Sequence, residues 1–124
     1  MPSNFTVRTP MLEIGYEAYG NAEGFPVVLL HGFPDDVRTW DGVAHRLVAA
    51  GFRTLTPYLR GFGPTRFHQK ETMRSGQLAA LGQDVREFVG ALGLTDYLLV
   101  GHDWGARAAY IAAATDPAGL RGLV

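Results

Sequence analysis

An aspartate between two glycines is the residue of this chain with the clearest potential for chemistry. Asp103 stands in the run Gly101-His102-Asp103-Trp104-Gly105, which follows the apolar stretch Tyr97 to Val100 and precedes an alanine-rich segment. A strand that turns sharply into a helix lifts its central side chain above the sheet, and flanking glycines remove Cβ atoms that would clash there. A carboxylate held in such a turn is ionised near neutral pH and can act as a nucleophile.

The same aspartate also has a purely structural interpretation. Asp is a preferred N-cap residue, and the backbone N–H groups and dipole at a helix start favour an anion. The pattern G-x-D-x-G by itself therefore leaves two alternatives open for Asp103, a nucleophile and a helix cap.

Two further motifs each follow a predicted strand. His31-Gly32-Phe33-Pro34 comes directly after Val27 to Leu30, an unbroken apolar run that is typical of a strand buried on both faces of a parallel sheet. Arg60-Gly61-Phe62-Gly63 comes shortly after Arg53 to Pro57, a second short strand.

The elements around these motifs predict an α/β fold. Strands and helices alternate from Val27 onward, which indicates parallel crossovers with helices on both faces of the sheet. Phe5 to Thr9 and Leu12 to Tyr19 are predicted to pair as an antiparallel leading hairpin. The segment from Tyr58 to Arg74 is predicted as a long loop. Apolar spacing predicts three helices, at about Trp40 to Val48, Ser75 to Leu92 and Ala106 to Thr115.

The three motifs, in this order and on these elements, resemble the α/β-hydrolase superfamily over essentially the whole chain. In that family the loop after the third strand and the residue after the nucleophile each contribute a backbone N–H to an oxyanion hole. The resemblance implies that Phe33 and Trp104 supply these N–H groups. Gly-His-Asp-Trp-Gly is similar to the branch with an aspartate nucleophile, which implies an alkyl-ester intermediate on Asp103.

Within this branch the resemblance favours epoxide hydrolysis to a diol, with haloalkane dehalogenation as the alternative. Phe33 stands where many haloalkane dehalogenases have Asn, and Trp104 stands where fluoroacetate dehalogenases have Arg. The family often has Asp two residues before Arg60, where this chain has Tyr58. The resemblance implies three substrate-binding residues, Phe33, Trp104 and His31. It implies structural roles for Gly32, Pro34, Gly101, His102 and Gly105.

The histidine that activates water in this family, and the acid that orients it, follow later strands of the sheet. No residue of the 124 matches those positions. We therefore expect residues 1–124 to correspond to the N-terminal portion of a hydrolase core, without its cap domain or C-terminal part, and to be incomplete for turnover alone. A catalytically silent binding or assembly module is the alternative from another functional class.

Composition excludes several other classes of function. The net charge is −1 without a block of like charges, so neither nucleic acid nor a membrane is an expected partner. Cysteine is absent and the four histidines lack metal-ligand spacing, so no metal or cofactor is expected. A small-molecule substrate and a cytoplasmic location are expected. An open strand edge near Val124 predicts self-association or a complementing chain.

Overall fold

The fold is organised around a strand that is fully buried at every position but its first. In β3, Pro26–Leu30, the side chains of Val28 and Leu30 join one hydrophobic core, while Val27 and Leu29 join another on the opposite face. Successive strand side chains point to opposite faces, so burial on both sides removes the usual polar alternation.

The computed structural model describes residues 2 to 124, which form one seven-stranded mixed sheet in the order β1-β2-β4-β3-β6-β7, with β5 attached to β2. β3 runs parallel to β4 and β6, and β6 runs parallel to β7, whereas β2 is antiparallel to β1, β4 and β5. The predicted α/β fold with a leading antiparallel hairpin is confirmed. The other strands are β1 Ser3–Arg8, β2 Leu12–Tyr19, β4 Arg53–Pro57, β5 Arg66–Phe67, β6 Tyr97–Gly101 and β7 Leu120–Leu123.

Helices cover both faces of this sheet. A short 3-10 turn, Val37–Trp40, leads into α1, Asp41–Ala49, which packs over one face through Ala44. The helices α2, Leu78–Ala91, and α3, Trp104–Thr115, pack on the opposite face and against each other. Their approach is close, because a Cβ atom on Gly82 of α2 would lie 2.3 Å from the Ile111 side chain of α3.

The observed boundaries differ from the predicted ones at two helix starts. α2 begins at Leu78 rather than at Ser75, because the Ser75 hydroxyl accepts a hydrogen bond from the Gln77 N–H and its carbonyl accepts one from Arg60. α3 begins at Trp104 rather than at Ala106, so Asp103 is the residue immediately before this helix.

The predicted long loop contains the short strand β5, which pairs with Leu12 and Glu13 of β2. Two residues are too few for an alternating pattern to reveal a strand in the sequence.

The strand β7 lies at an edge of the sheet, and Leu123 and Val124 are exposed there. Association of a second chain at this edge stays a prediction, as does the cytoplasmic location. No helix within residues 2–124 combines the length and the apolar character needed to cross a bilayer.

Candidate active site

The parallel pairing of β3 with β6 brings two of the sequence motifs together. Leu30 pairs with Gly101 at the carboxyl ends of the two strands, and the His102 N–H donates to the Leu30 carbonyl at 3.1 Å. The next residues of each chain segment therefore meet above the sheet. A Cβ atom on Gly32 would lie 2.4 Å from the Cβ atom of Asp103, so only glycine fits at this approach.

Asp103 has a backbone conformation that L-amino acids rarely adopt. Its φ is 56° and its ψ is −120°, and it is the one non-glycine residue within residues 2–124 with a positive φ. Such conformations cost on the order of 1–3 kcal/mol and occur at functional sites. Asp103 occupies the N-cap position of α3, yet its side chain makes no capping hydrogen bond. This geometry is that of a strand-to-helix elbow and differs from that of an ordinary helix cap.

The flanking glycines make the sharp turn sterically possible. A Cβ atom on Gly105 would lie 2.1 Å from the Leu30 carbonyl oxygen, and one on Gly101 would lie 2.6 Å from the Gly105 carbonyl oxygen. Both positions face backbone atoms, which cannot rotate away as a side chain can. α3 can therefore start against β3 only because these positions lack side chains.

The Asp103 carboxylate accepts a hydrogen bond from the backbone of the loop after β3. The Phe33 N–H donates to Oδ2 of Asp103 at 3.0 Å. Hydrogen bonding from the backbone N–H groups of Trp104 and Phe33 lowers the pKa of Asp103, and the nearby charges of His102 and Arg107 act in the same direction. These contacts favour the ionised form of the carboxylate, which is the form a nucleophile requires.

Aromatic side chains stand on the loop and the elbow that hold this carboxylate. Phe33 and Trp104 stack on each other with ring centroids 5.4 Å apart. Phe62 packs edge-on against Phe33 at 6.3 Å. Phe33 is 58% exposed and Trp104 is 37% exposed, so apolar surface is available next to a charged group. This combination suits a substrate that is apolar around its reacting carbon.

His31 lies beneath the site rather than in it. Its side chain is fully buried, Nδ1 lies 3.0 Å from the Gly32 carbonyl oxygen, and Nε2 accepts the Leu59 N–H at 3.1 Å. These partners assign the proton to Nδ1 of a neutral ring. Burial lowers the pKa of His31, against the opposing effect of the Gly32 hydrogen bond. The sequence predicted that His31 contacts the substrate. The structure leaves neither ring nitrogen free for such a contact, because each nitrogen is bound to a backbone group.

The remaining residues of the two motifs shape the backbone. The Phe33–Pro34 peptide bond is cis, and the Asp35 N–H donates to the Gly32 carbonyl within the same turn. The His102 side chain is exposed and borders a recess formed with Trp40 of the 3-10 turn, on the α1 side of the sheet.

The other two histidines are engaged elsewhere. The His45 ring faces the Tyr19 hydroxyl at 3.4 Å, and His68 Nε2 lies 2.9 Å from the Thr9 carbonyl oxygen. Within residues 2–124, no histidine hydrogen-bonds to the Asp103 carboxylate. The described residues therefore hold a candidate nucleophile without a histidine positioned to activate water for it.

A buried ion pair anchors the loop that carries Phe62. The sequence patterns did not predict this pair. Arg60 binds Asp84 of α2 through two hydrogen bonds of 2.6 and 2.7 Å, and both side chains are less than 10% exposed. Asp84 lies on the apolar stripe of α2 between Leu81 and Val85. A charged residue within such a stripe is the signal that could have revealed this pair.

Comparison with known proteins agrees with this geometry. A family model of the alpha/beta hydrolase fold matches residues 26–124. The chain belongs to the α/β-hydrolase fold family. A crystal structure of a candidate epoxide hydrolase from Klebsiella pneumoniae superposes on this α/β-hydrolase chain with a TM-score of 0.94 and 41% identity, covering 98% of this chain and 40% of the other.

Two curated relatives extend the comparison. The soluble epoxide hydrolase of a Corynebacterium strain is 37% identical over 87 residues, which cover 70% of this chain and 29% of the relative. The AB hydrolase superfamily protein YfhM of Bacillus subtilis is 30% identical over 118 residues, which cover 95% of this chain and 41% of the relative. The α/β-hydrolase chain thus spans less than half the length of the proteins it is similar to.

Proposed function

We propose that this chain carries the nucleophilic half of an epoxide hydrolase, in which Asp103 attacks an epoxide carbon and forms an alkyl ester. The observation that carries the proposal is the strained elbow at Asp103, whose carboxylate is exposed, ionised and held by the backbone N–H of Phe33. The epoxide hydrolases among the relatives support the choice of reaction.

The chemistry begins with one carboxylate oxygen. The oxygen of Asp103 that attacks the alkyl carbon forms a C–O bond, while the epoxide C–O bond breaks and its oxygen takes up a proton from solvent water to become a hydroxyl group. No general base is needed for this step, because the carboxylate is already an anion. The elbow fits this role since it presents the charge above the sheet.

The second step would use the same backbone N–H groups. Water adds to the carbonyl carbon of the ester, and negative charge then develops on the former carboxylate oxygen that the Phe33 N–H holds. Backbone N–H groups fixed in advance at such an oxygen typically increase the rate by about 10²–10³ per donor. The water must lose a proton in this step, and the described residues offer no histidine at Asp103 to accept it. We therefore expect the ester to accumulate on this chain.

Mass spectrometry of the chain treated with styrene oxide tests the proposal. We expect an adduct of one epoxide on the peptide that bears Asp103, or, if the ester is hydrolysed in H₂¹⁸O, one ¹⁸O atom in that peptide. The variant Asp103→Asn should show neither, whereas Asp35→Asn, which changes a neighbouring exposed carboxylate, should behave as the unmodified chain. Absence of both products from the unmodified chain would remove Asp103 from the mechanism.

A second panel of substrates distinguishes the two related reactions. Matched primary alkyl bromides would form the same ester with release of bromide. Faster adduct formation from the epoxide supports the proposal, and faster release of bromide would overturn the choice of epoxide.

A further inference from the structure

A cavity beside Trp104 has a positively charged wall. Its volume is about 210 Å³, and its wall includes Trp104, Phe67, Ser75 and the two arginines Arg60 and Arg74, without an acidic side chain. Trp104 follows Asp103 in the chain, so one residue of the cavity wall is the direct sequence neighbour of the candidate nucleophile. This volume suffices for a short substrate arm.

The two arginines of this wall differ in how their charge is balanced. Arg60 is neutralised by Asp84, and its third donor group is used by the Ser75 carbonyl. Arg74 has no acidic side chain within ion-pairing distance among residues 2–124. The cavity therefore carries one uncompensated positive charge, at Arg74.

The guanidinium group of Arg74 is also held in place. It lies 4.0 Å from the centroid of the Phe67 ring, and its Nη1 donates to the Thr72 carbonyl oxygen at 2.7 Å. The same Nη1 also donates to the Gln69 carbonyl oxygen at 3.5 Å, so both backbone contacts use one nitrogen. An arginine fixed in this way by ring stacking and backbone carbonyls keeps the donors on Nε and Nη2 available for a planar acceptor.

We infer that this cavity binds a carboxylate carried by the substrate, with Arg74 as its ligand. The inference rests on the proposed function for the position of the reacting carbon, which would lie at Asp103 while a short apolar arm crosses Trp104. Arg74 would also offset the repulsion between an anionic substrate and the Asp103 carboxylate. The substrate class is thus a small epoxide with a carboxylate at the end of its arm.

Binding of hexanoate and of hexanamide tests this site without requiring any reaction. The two probes have nearly the same size and differ in charge, and binding can be followed by NMR of the indole N–H of Trp104. We expect saturable binding of hexanoate that is about two- to fivefold tighter than binding of hexanamide, as for an exposed ion pair. The preference should decline with added salt.

Charge-matched variants localise the effect. Arg74→Gln should abolish the preference for hexanoate, whereas Arg66→Gln, which removes a nearby exposed positive charge outside the cavity wall, should retain it. Both positions are exposed, and unchanged unfolding midpoints would exclude a folding defect. Equal affinity for the two probes, no saturable binding of hexanoate, or an unchanged preference in Arg74→Gln would each overturn the inference.

The rate of adduct formation tests whether binding at Arg74 contributes to the reaction at Asp103. Adduct formation at Asp103 should be faster with a terminal epoxide that carries a carboxylate than with its primary amide, and Arg74→Gln should remove this difference. Hexanoate binding that depends on Arg74, in a chain that forms no adduct, would support the binding site and count only against the proposed reaction.

Discussion

The backbone N–H of Phe33 donates to Oδ2 of Asp103 at 3.0 Å, although the two residues are 70 positions apart in the chain. This bond joins the loop after β3 to the elbow after β6, and it distinguishes the two oxygens of the carboxylate. The oxygen that accepts the Phe33 N–H is oriented toward the backbone. The other carboxylate oxygen, Oδ1, is the one that attacks the epoxide carbon in the proposed reaction.

Backbone strain at Asp103 predicts an unusual response to substitution. Glycine adopts a positive φ without penalty, whereas alanine retains the strain of the elbow and loses the carboxylate contacts. We expect Asp103→Gly to exceed Asp103→Ala in free energy of unfolding by about 1–3 kcal/mol, and we expect neither variant to form an adduct. Urea unfolding checks the difference, and equal stabilities would show that the elbow is unstrained.

Gly105 and Gly90 form a matched pair for the steric argument. A Cβ atom on Gly105 meets the Leu30 carbonyl oxygen, whereas one on Gly90 of α2 meets nothing within 4 Å. We expect Gly105→Ala to lower the free energy of unfolding by about 3 kcal/mol through overpacking. Gly90→Ala should raise it by roughly 0.5–1 kcal/mol through helix propensity. Thermal or urea unfolding measures both, and a tolerated Gly105→Ala would contradict the close contact of α3 with β3.

Acidification should destabilise the fold through His31. Burial lowers its pKa below the ordinary value of 6.5, and the Leu59 N–H requires a lone pair on Nε2. Near pH 6.5 the unfolded chain binds a proton that the folded chain does not. The free energy of unfolding should therefore fall as the pH decreases from 6.5 to the lower pKa of the folded state.

Unfolding measured from neutral pH to about pH 5 follows this dependence of stability on His31. His31→Gln should flatten the slope in this window, because the variant lacks the titrating group. His45→Gln, which changes an exposed histidine of α1 beside Tyr19, should retain the slope. An identical slope in His31→Gln would assign the pH dependence to another group.

Substitution of either Arg60 or Asp84 alone should lower the free energy of unfolding. Removing one partner leaves an uncompensated buried charge, so Asp84→Leu and Arg60→Leu should each lower the free energy of unfolding by about 3 kcal/mol. The double variant should lose less than the sum of the two. Asp96→Asn breaks the exposed pair with Arg121 and should change stability by less than about 1 kcal/mol. Additive losses in a double-mutant cycle would contradict direct coupling between Arg60 and Asp84.

Much of the fold could be predicted from local patterns. The unbroken apolar run Val27 to Leu30 required a strand with a core on each face, and β3 has both. The alternation of strands and helices required parallel crossovers. The starts of α2 and α3 were predicted less well, because hydrogen bonds of Ser75 and the turn at Asp103 determine them, and neither follows from apolar spacing.

The sequence by itself determined which residues stand at the ends of the strands, and its resemblance to the α/β-hydrolases implied that Asp103 and the loop that contains Phe33 act together. Only the tertiary structure decided what these groups do to one another. The parallel register of β3 with β6 brings the Phe33 N–H to the Asp103 carboxylate, and burial between two loops makes His31 a backbone ligand. Contacts between residues distant in the chain depend on strand register and packing, which local patterns do not encode.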